Sequence, residues 1–127
     1  MNEILQGKIC PYCNQKSELV HSSIIYGAGT NYGMIYLCKS CDAYVGCHKG
    51  TEKALGSLAN RELRALRNKC HALFDVKWKG GDRISRQIAR NSAYQWLSKQ
   101  LEISREVTHI AMFDEQQCKH VIELLQK

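Results

Sequence analysis

Two hydrophobic rhythms divide this chain. Short aliphatic and β-branched runs fill its first third, and apolar residues recur every three or four positions after residue 60. Leu19-Val20-His21-Ser22-Ser23-Ile24-Ile25 predicts a strand, Met34-Ile35-Tyr36-Leu37 a second, and Ala43-Tyr44-Val45-Gly46 a short third. A glycine-rich loop with two tyrosines, Tyr26 to Gly33, joins the first two. From Arg61 to Lys77, Leu63, Leu66, Cys70, Leu73 and Phe74 mark the buried face of a helix that Asn60 can cap. Trp78-Lys79-Gly80-Gly81 is its stop signal. Asp82 caps a further helix over 84–101, which lacks a single apolar stripe. Ile84 and Ile88 point one way, and Tyr94, Leu97 and Leu101 another, so it either breaks near Asn91 or packs on two sides. Residues 109–113 read as extended. Asp114 and Gln117 form a capping box that opens a last helix over 115–126, with Cys118, Val121, Ile122 and Leu125 inward.

The cysteines change this picture most. Cys10-Pro11-Tyr12-Cys13 precedes the first strand, and Cys38-Lys39-Ser40-Cys41 separates the second from the third. Turn, strand, loop, strand, turn, strand is the layout of a zinc ribbon. Zn²⁺ accepts four thiolates tetrahedrally, and each Cys-x-x-Cys turn supplies two of them. A closed four-cysteine shell leaves no open position, so this zinc holds structure rather than performing chemistry. A thioredoxin-type redox pair is the rival at Cys10 and Cys13, and the second pair argues against it. The expected class is α+β: an N-terminal four-cysteine zinc ribbon of short antiparallel strands over residues 1–50, packed as one compact unit on a bundle of about three helices over 51–127. The ribbon segment is poor in large apolar residues, so metal binding supplies folding free energy there. Cys47, Cys70 and Cys118 are left over, the latter two read as packing residues. The absence of a signal peptide or a long apolar run points to the reducing cytoplasm and to no membrane partner.

Charge adds a partner class. The net charge is +6, and its excess lies between Lys49 and Lys99. A basic middle suits a polyanion, nucleic acid above all. Lys49, Lys53, Arg64, Arg67, Arg83, Arg86 and Arg90 are the candidate phosphate contacts; the plainer reading is a solvated basic surface. On the first long helix, Arg64, Arg67, Asn68, His71 and Asp75 share one side at steps of three and four. The loop glycines lack a Gly-Lys-Ser/Thr ending, so they make no phosphate loop; the two tyrosines there can stack on bases or simply pack. A second function class draws on Asp42, His48, Arg64, His71, Asp75, His109 and Asp114. If His48, His71, Asp75 and His109 face one cleft, they suit a metal-dependent nuclease or another phosphoester hydrolase. His109, beside an apolar run, is equally a satisfied structural histidine. A third class is a protein-interaction adaptor built on the ribbon.

Cys10-Pro11-Tyr12-Cys13 and the run from Tyr32 through Cys38-x-x-Cys41-Asp42-Ala43-Tyr44-Val45-Gly46-Cys47-His48-Lys49-Gly50-Thr51 carry a likeness. So do Leu55-Gly56-Ser57-Leu58-Ala59-Asn60, His71-x-x-Phe74-Asp75-x-x-Trp78, Ala93-Tyr94-x-Trp96-Leu97 and His109-Ile110-x-Met112-Phe113-Asp114-x-x-x-Cys118. Together they resemble the zinc-finger-containing domain family of bacteria and their phages over nearly the whole chain. The resemblance implies a zinc-binding protein and brings no activity with it. Asn14, Ala54 and Ala111 stand where that pattern often has glycine, proline and glycine.

Overall fold

Three short strands form where β-branched, aliphatic and aromatic residues alternate, and the central one is buried on both faces, by Cys38 on one and by Ile35 and Leu37 on the other. In the computed structural model, which describes residues 3–78 and 81–126, these are β1 (Glu18–His21), β2 (Met34–Cys38) and β3 (Ala43–Gly46). They pair antiparallel in the order β1-β2-β3, with Leu19 opposite Tyr36 and Tyr36 opposite Val45. Period-two alternation puts Tyr36, Cys38, Ala43 and Val45 on one face. There they form one cluster with Cys10, Leu58 and the half-buried Cys13, Cys41 and Ala54. The outer edge of β3 is covered by the segment that follows. Tyr44 and Ala59 exchange backbone hydrogen bonds of 3.1 and 3.0 Å, and Leu55 N–H donates to the Gly46 carbonyl at 2.9 Å. A covered edge offers no template for another strand.

The first strand is shorter than its β-branched run predicts. It ends at His21, and Ser23–Tyr26 form a one-turn helix, α1. Local polar bonds override strand propensity there. Ser22 is fully buried; its hydroxyl accepts Tyr32 N–H at 2.9 Å and its carbonyl accepts the N–H groups of Ile25 and Tyr26. Ile24 is left more than half exposed. Gly7 is needed for packing as well as for its turn. Its φ is +76°, and a Cβ there would meet the Ala54 Cβ at 2.7 Å.

The chain divides into two compact units, Met1–Glu62 and Leu63–Lys127. The second contains most of α2 (Arg61–Asp75), all of α3 (Arg83–Leu101) and α4 (Glu115–Leu125), and two 3₁₀ turns at Arg105–Val107 and Ile110–Met112. The turn at Ile110–Met112 replaces the extended stretch that the sequence suggests. Lys79 and Gly80, the middle of the expected stop signal, lie outside the described residues. Leu63, Cys70, Phe74, Tyr94, Leu97, Ile110, Phe113, Cys118 and Val121 are buried and supply this unit's core. Phe74 and Tyr94 pack ring to ring at 4.5 Å, and the Cys70 thiol donates to the Cys118 carbonyl at 3.3 Å. Both helix starts behave as their sequence predicts. Asp82 accepts Ser85 N–H at 2.8 Å, and Asp114 and Gln117 close the reciprocal capping box.

Helix α3 neither breaks at Asn91 nor packs on two sides. It is continuous, and its two apolar stripes belong to different halves. The second half buries Tyr94 and Leu97, while Ile84 and Ile88 in the first half are 72% and 63% exposed.

Candidate functional site

Each cysteine pair sits on a turn shaped by its own backbone. Asn14 N–H returns to the Cys10 carbonyl and Cys10 N–H donates to the Gln15 carbonyl, both at 2.9 Å. At the second pair Asp42 N–H donates to the Lys39 carbonyl at 3.2 Å, between the end of β2 and the start of β3. The sheet therefore carries Cys38 and Cys41 at its strand ends and brings them to the Cys10 turn.

The four Sγ atoms of Cys10, Cys13, Cys38 and Cys41 lie within 4.8 Å of one another. Four sulfurs at tetrahedral corners about 2.3 Å from one ion stand about 3.8 Å apart. The Cys13 and Cys38 sulfurs are 3.7 Å apart. Cys10 is fully buried and Cys38 nearly so, which keeps water from competing for the ion. Without a cation the thiols of Cys10, Cys38 and Cys41 hold their protons unequally. The Ser40 hydroxyl, 3.4 Å from Cys38 Sγ, is the main cause that brings that thiol down to about 7. Burial first, and then the neighbouring thiols, push Cys41 up to about 12; burial also raises Cys10. Four negative sulfurs this close need a dication among them. Donor type, spacing and burial all fit one zinc ion, and the site is suited to that single structural ion. When bound, zinc ties the first turn to the sheet and leaves no ligand position for substrate.

The remaining candidates are distributed over both units. His48 and Lys49 border an open groove of about 810 Å³ in the first unit, lined also by Tyr32, Met34, Cys47 and Glu52. Lys53 is exposed beside it, and its carbonyl accepts His48 N–H at 2.9 Å. Tyr26 and Tyr32 meet edge to face at 5.1 Å on the glycine-rich loop.

On α2, Arg64 is half-buried, whereas Arg67 departs from the expected exposed stripe. Only 7% of Arg67 is exposed, and its Nε and Nη2 both donate to the Phe113 carbonyl, at 3.1 and 2.9 Å. Its guanidinium is occupied in tying α2 to the residue before the α4 cap, so it is not available as a phosphate contact. Arg83 and Arg86 are exposed along α3, and Arg90 follows them on the same face.

His109 and Asp75 come near Tyr94, which the sequence pattern marks only as an apolar position, and His71 lies within reach of Asp75. The His109 ring lies 5.5 Å from the Tyr94 ring, and Asp75 acts on both Tyr94 and His71. The Arg90 and Arg105 guanidiniums stand 4.9 and 5.0 Å from the Tyr94 ring centre. Desolvation holds the His71 imidazole below its usual value; Asp75 opposes this, and Arg90 and Arg67 add to the fall. Burial raises the Tyr94 hydroxyl. Among the described residues no second group of three His, Cys, Asp or Glu ligands comes together. Arg105 lies in a connecting segment without periodicity, so only the tertiary structure brings it to Tyr94.

Among the described residues no helix is long and apolar enough to cross a membrane. No curated protein and no solved structure matches the chain. One family model does, described as a zinc-finger-containing domain, and it covers residues 6–127. With its four-cysteine cluster and a match over nearly its full length, the chain belongs to the zinc-finger-containing domain family.

Proposed function

We propose that this protein binds nucleic acid through helix α3, with the zinc site holding the first unit folded. The carrying observation is the row Arg83, Arg86 and Arg90. At steps of three and four these side chains share one helix face. All three are exposed, and none has a carboxylate partner among the described residues. The surroundings support the reading: twelve basic residues stand against four acidic ones between Lys49 and Lys99. Lys77, 5.0 Å from the Trp96 ring centre, adds a second cation beside an aromatic. Lys49 and Lys53 belong to the first unit and would contribute separately.

The test is fluorescence anisotropy with single- and double-stranded DNA and RNA over a salt series. Binding should weaken steeply with salt. Each phosphate contact removed should flatten the logarithmic slope by about 0.7–0.9. Replacing Arg83, Arg86 and Arg90 by alanine should therefore reduce both affinity and slope. Binding that ignores salt, or is unchanged in the triple variant, would overturn the proposal.

A second reading, phosphoester hydrolysis, draws on His109 and Asp75 beside Tyr94 and on His71, one turn before Asp75. The same oligonucleotides incubated with and without divalent metal test it. Cleavage that disappears in His71→Ala would favour it over simple binding.

A further inference from the structure

Arg90 and Arg105 come from different segments, yet their guanidiniums stand 4.9 and 5.0 Å from one ring centre. The two cations are therefore at most about 10 Å apart, since each lies within 5 Å of the Tyr94 centroid. Neither has a carboxylate partner among the described residues; Arg105 makes one long bond, 3.4 Å, to the Thr108 carbonyl. Arg90 also covers the Trp78 ring at 5.8 Å. The Trp78 indole Nε1–H is buried and has no acceptor among the described residues. A buried donor without an acceptor costs about 1–3 kcal/mol. The guanidinium over the same ring is exposed and has no carboxylate partner among the described residues. Asp75 is close enough to act on Tyr94 and His71, and it leaves a positive balance against the two arginines.

We infer that Arg90 and Arg105, beside Trp78, form a seat for one phosphate group at the Tyr94 ring. The guanidinium forks match phosphate oxygens bidentately, and Tyr94 holds both forks in place, which lessens the entropy lost on binding. The inference rests on the nucleic-acid reading for the source of the phosphate, but the seat itself does not depend on α3's outer arginines. The same chemistry could be a terminal phosphate, a backbone phosphodiester or free phosphate.

The chain has two tryptophans, so Trp96→Phe leaves Trp78 as the sole indole reporter. In that background, Trp78 emission is followed while adding inorganic phosphate, a 5′-phosphorylated oligonucleotide or its 5′-hydroxyl counterpart. Sodium chloride at matched ionic strength is the control. A saturable change with a phosphate-bearing ligand, at least tenfold weaker in Arg90→Gln and in Arg105→Gln, is the expected result. Zinc content and circular dichroism establish that both variants are folded. Preference for the 5′-phosphorylated strand identifies a terminal phosphate, equal response to both strands a phosphodiester, and response to inorganic phosphate alone a free anion. No response beyond the chloride control, or a response untouched by both substitutions, overturns the seat. Oligonucleotide affinity lost only in the Arg83 and Arg86 variants would overturn the seat and leave nucleic-acid binding standing. Saturable inorganic phosphate without any oligonucleotide binding would do the reverse.

Discussion

Asn14 and Asp42 occupy the same step of two separate turns. Each follows the second cysteine of its pair, and each is left-handed, with φ of 62° and 50°. That backbone bends the chain so that both sulfurs of a pair reach one point. Asparagine and aspartate are the side chains that tolerate this conformation best after glycine. The torsion explains why asparagine serves at position 14 and why glycine would serve as well.

Asn14→Gly should be close to neutral, and Asn14→Val should cost about 1–2 kcal/mol, because a β-branched side chain is strained at positive φ. Denaturant unfolding of the zinc-loaded protein measures the difference. Zinc affinity should fall in the valine variant and hold in the glycine one.

Removing zinc should unfold the first unit and spare the second. The sheet cluster consists of the cysteines with Tyr36, Ala43, Val45, Ala54 and Leu58, too small a core to hold without the ion. The second unit has its own buried set, including Phe74, Leu97, Phe113 and Val121. Amide resonances of residues 3–62 should collapse on chelation while most from 63–126 persist. Cys38→Ser should reproduce the effect without chelator. A metal-free protein with an unchanged spectrum would contradict the assignment.

Arg67→Ala should destabilise the second unit by about 1–3 kcal/mol, since the buried Phe113 carbonyl loses both donors. Thermal unfolding reads this directly. Oligonucleotide affinity, measured well below the melting temperature, should not change. Arg86→Ala should show the converse: weaker binding with stability nearly intact.

The pH profile of the second unit should carry a mark of His71. Its folded pKa lies below the usual value, so near pH 6 the folded chain binds fewer protons than the unfolded one. The associated stability is present above about 6.5, the unfolded value, and is lost as pH falls through the folded one. Asp75, one turn along α2, pulls the pKa up, while Arg90 and Arg67 push it down. Proton resonances of the imidazole should therefore titrate below about 6.5. Asp75→Asn should lower the midpoint further, and Arg90→Gln should raise it.

Legibility follows the range of the interaction. The two Cys-x-x-Cys pairs, the third strand and the capping box at Asp114 are set by neighbours within a few residues, and all appear where the sequence places them. The first strand reads too long in sequence because Ile24 and Ile25 favour extension, and the buried Ser22 bonds that end it reach ten residues on, to Tyr32. The arginines look alike in sequence. Their division into the buried Arg67 and the exposed Arg83 and Arg86 depends on what packs above each helix.

By itself, then, the sequence determined the metal-binding chemistry and the succession of strands and helices, because ligand spacing, turn residues and periodicity are local. Only the tertiary structure decided which cations are occupied, and only it brought Arg105 and His109 to Tyr94. Those meetings join residues from separate segments of the chain, and no spacing along it encodes their distance in space.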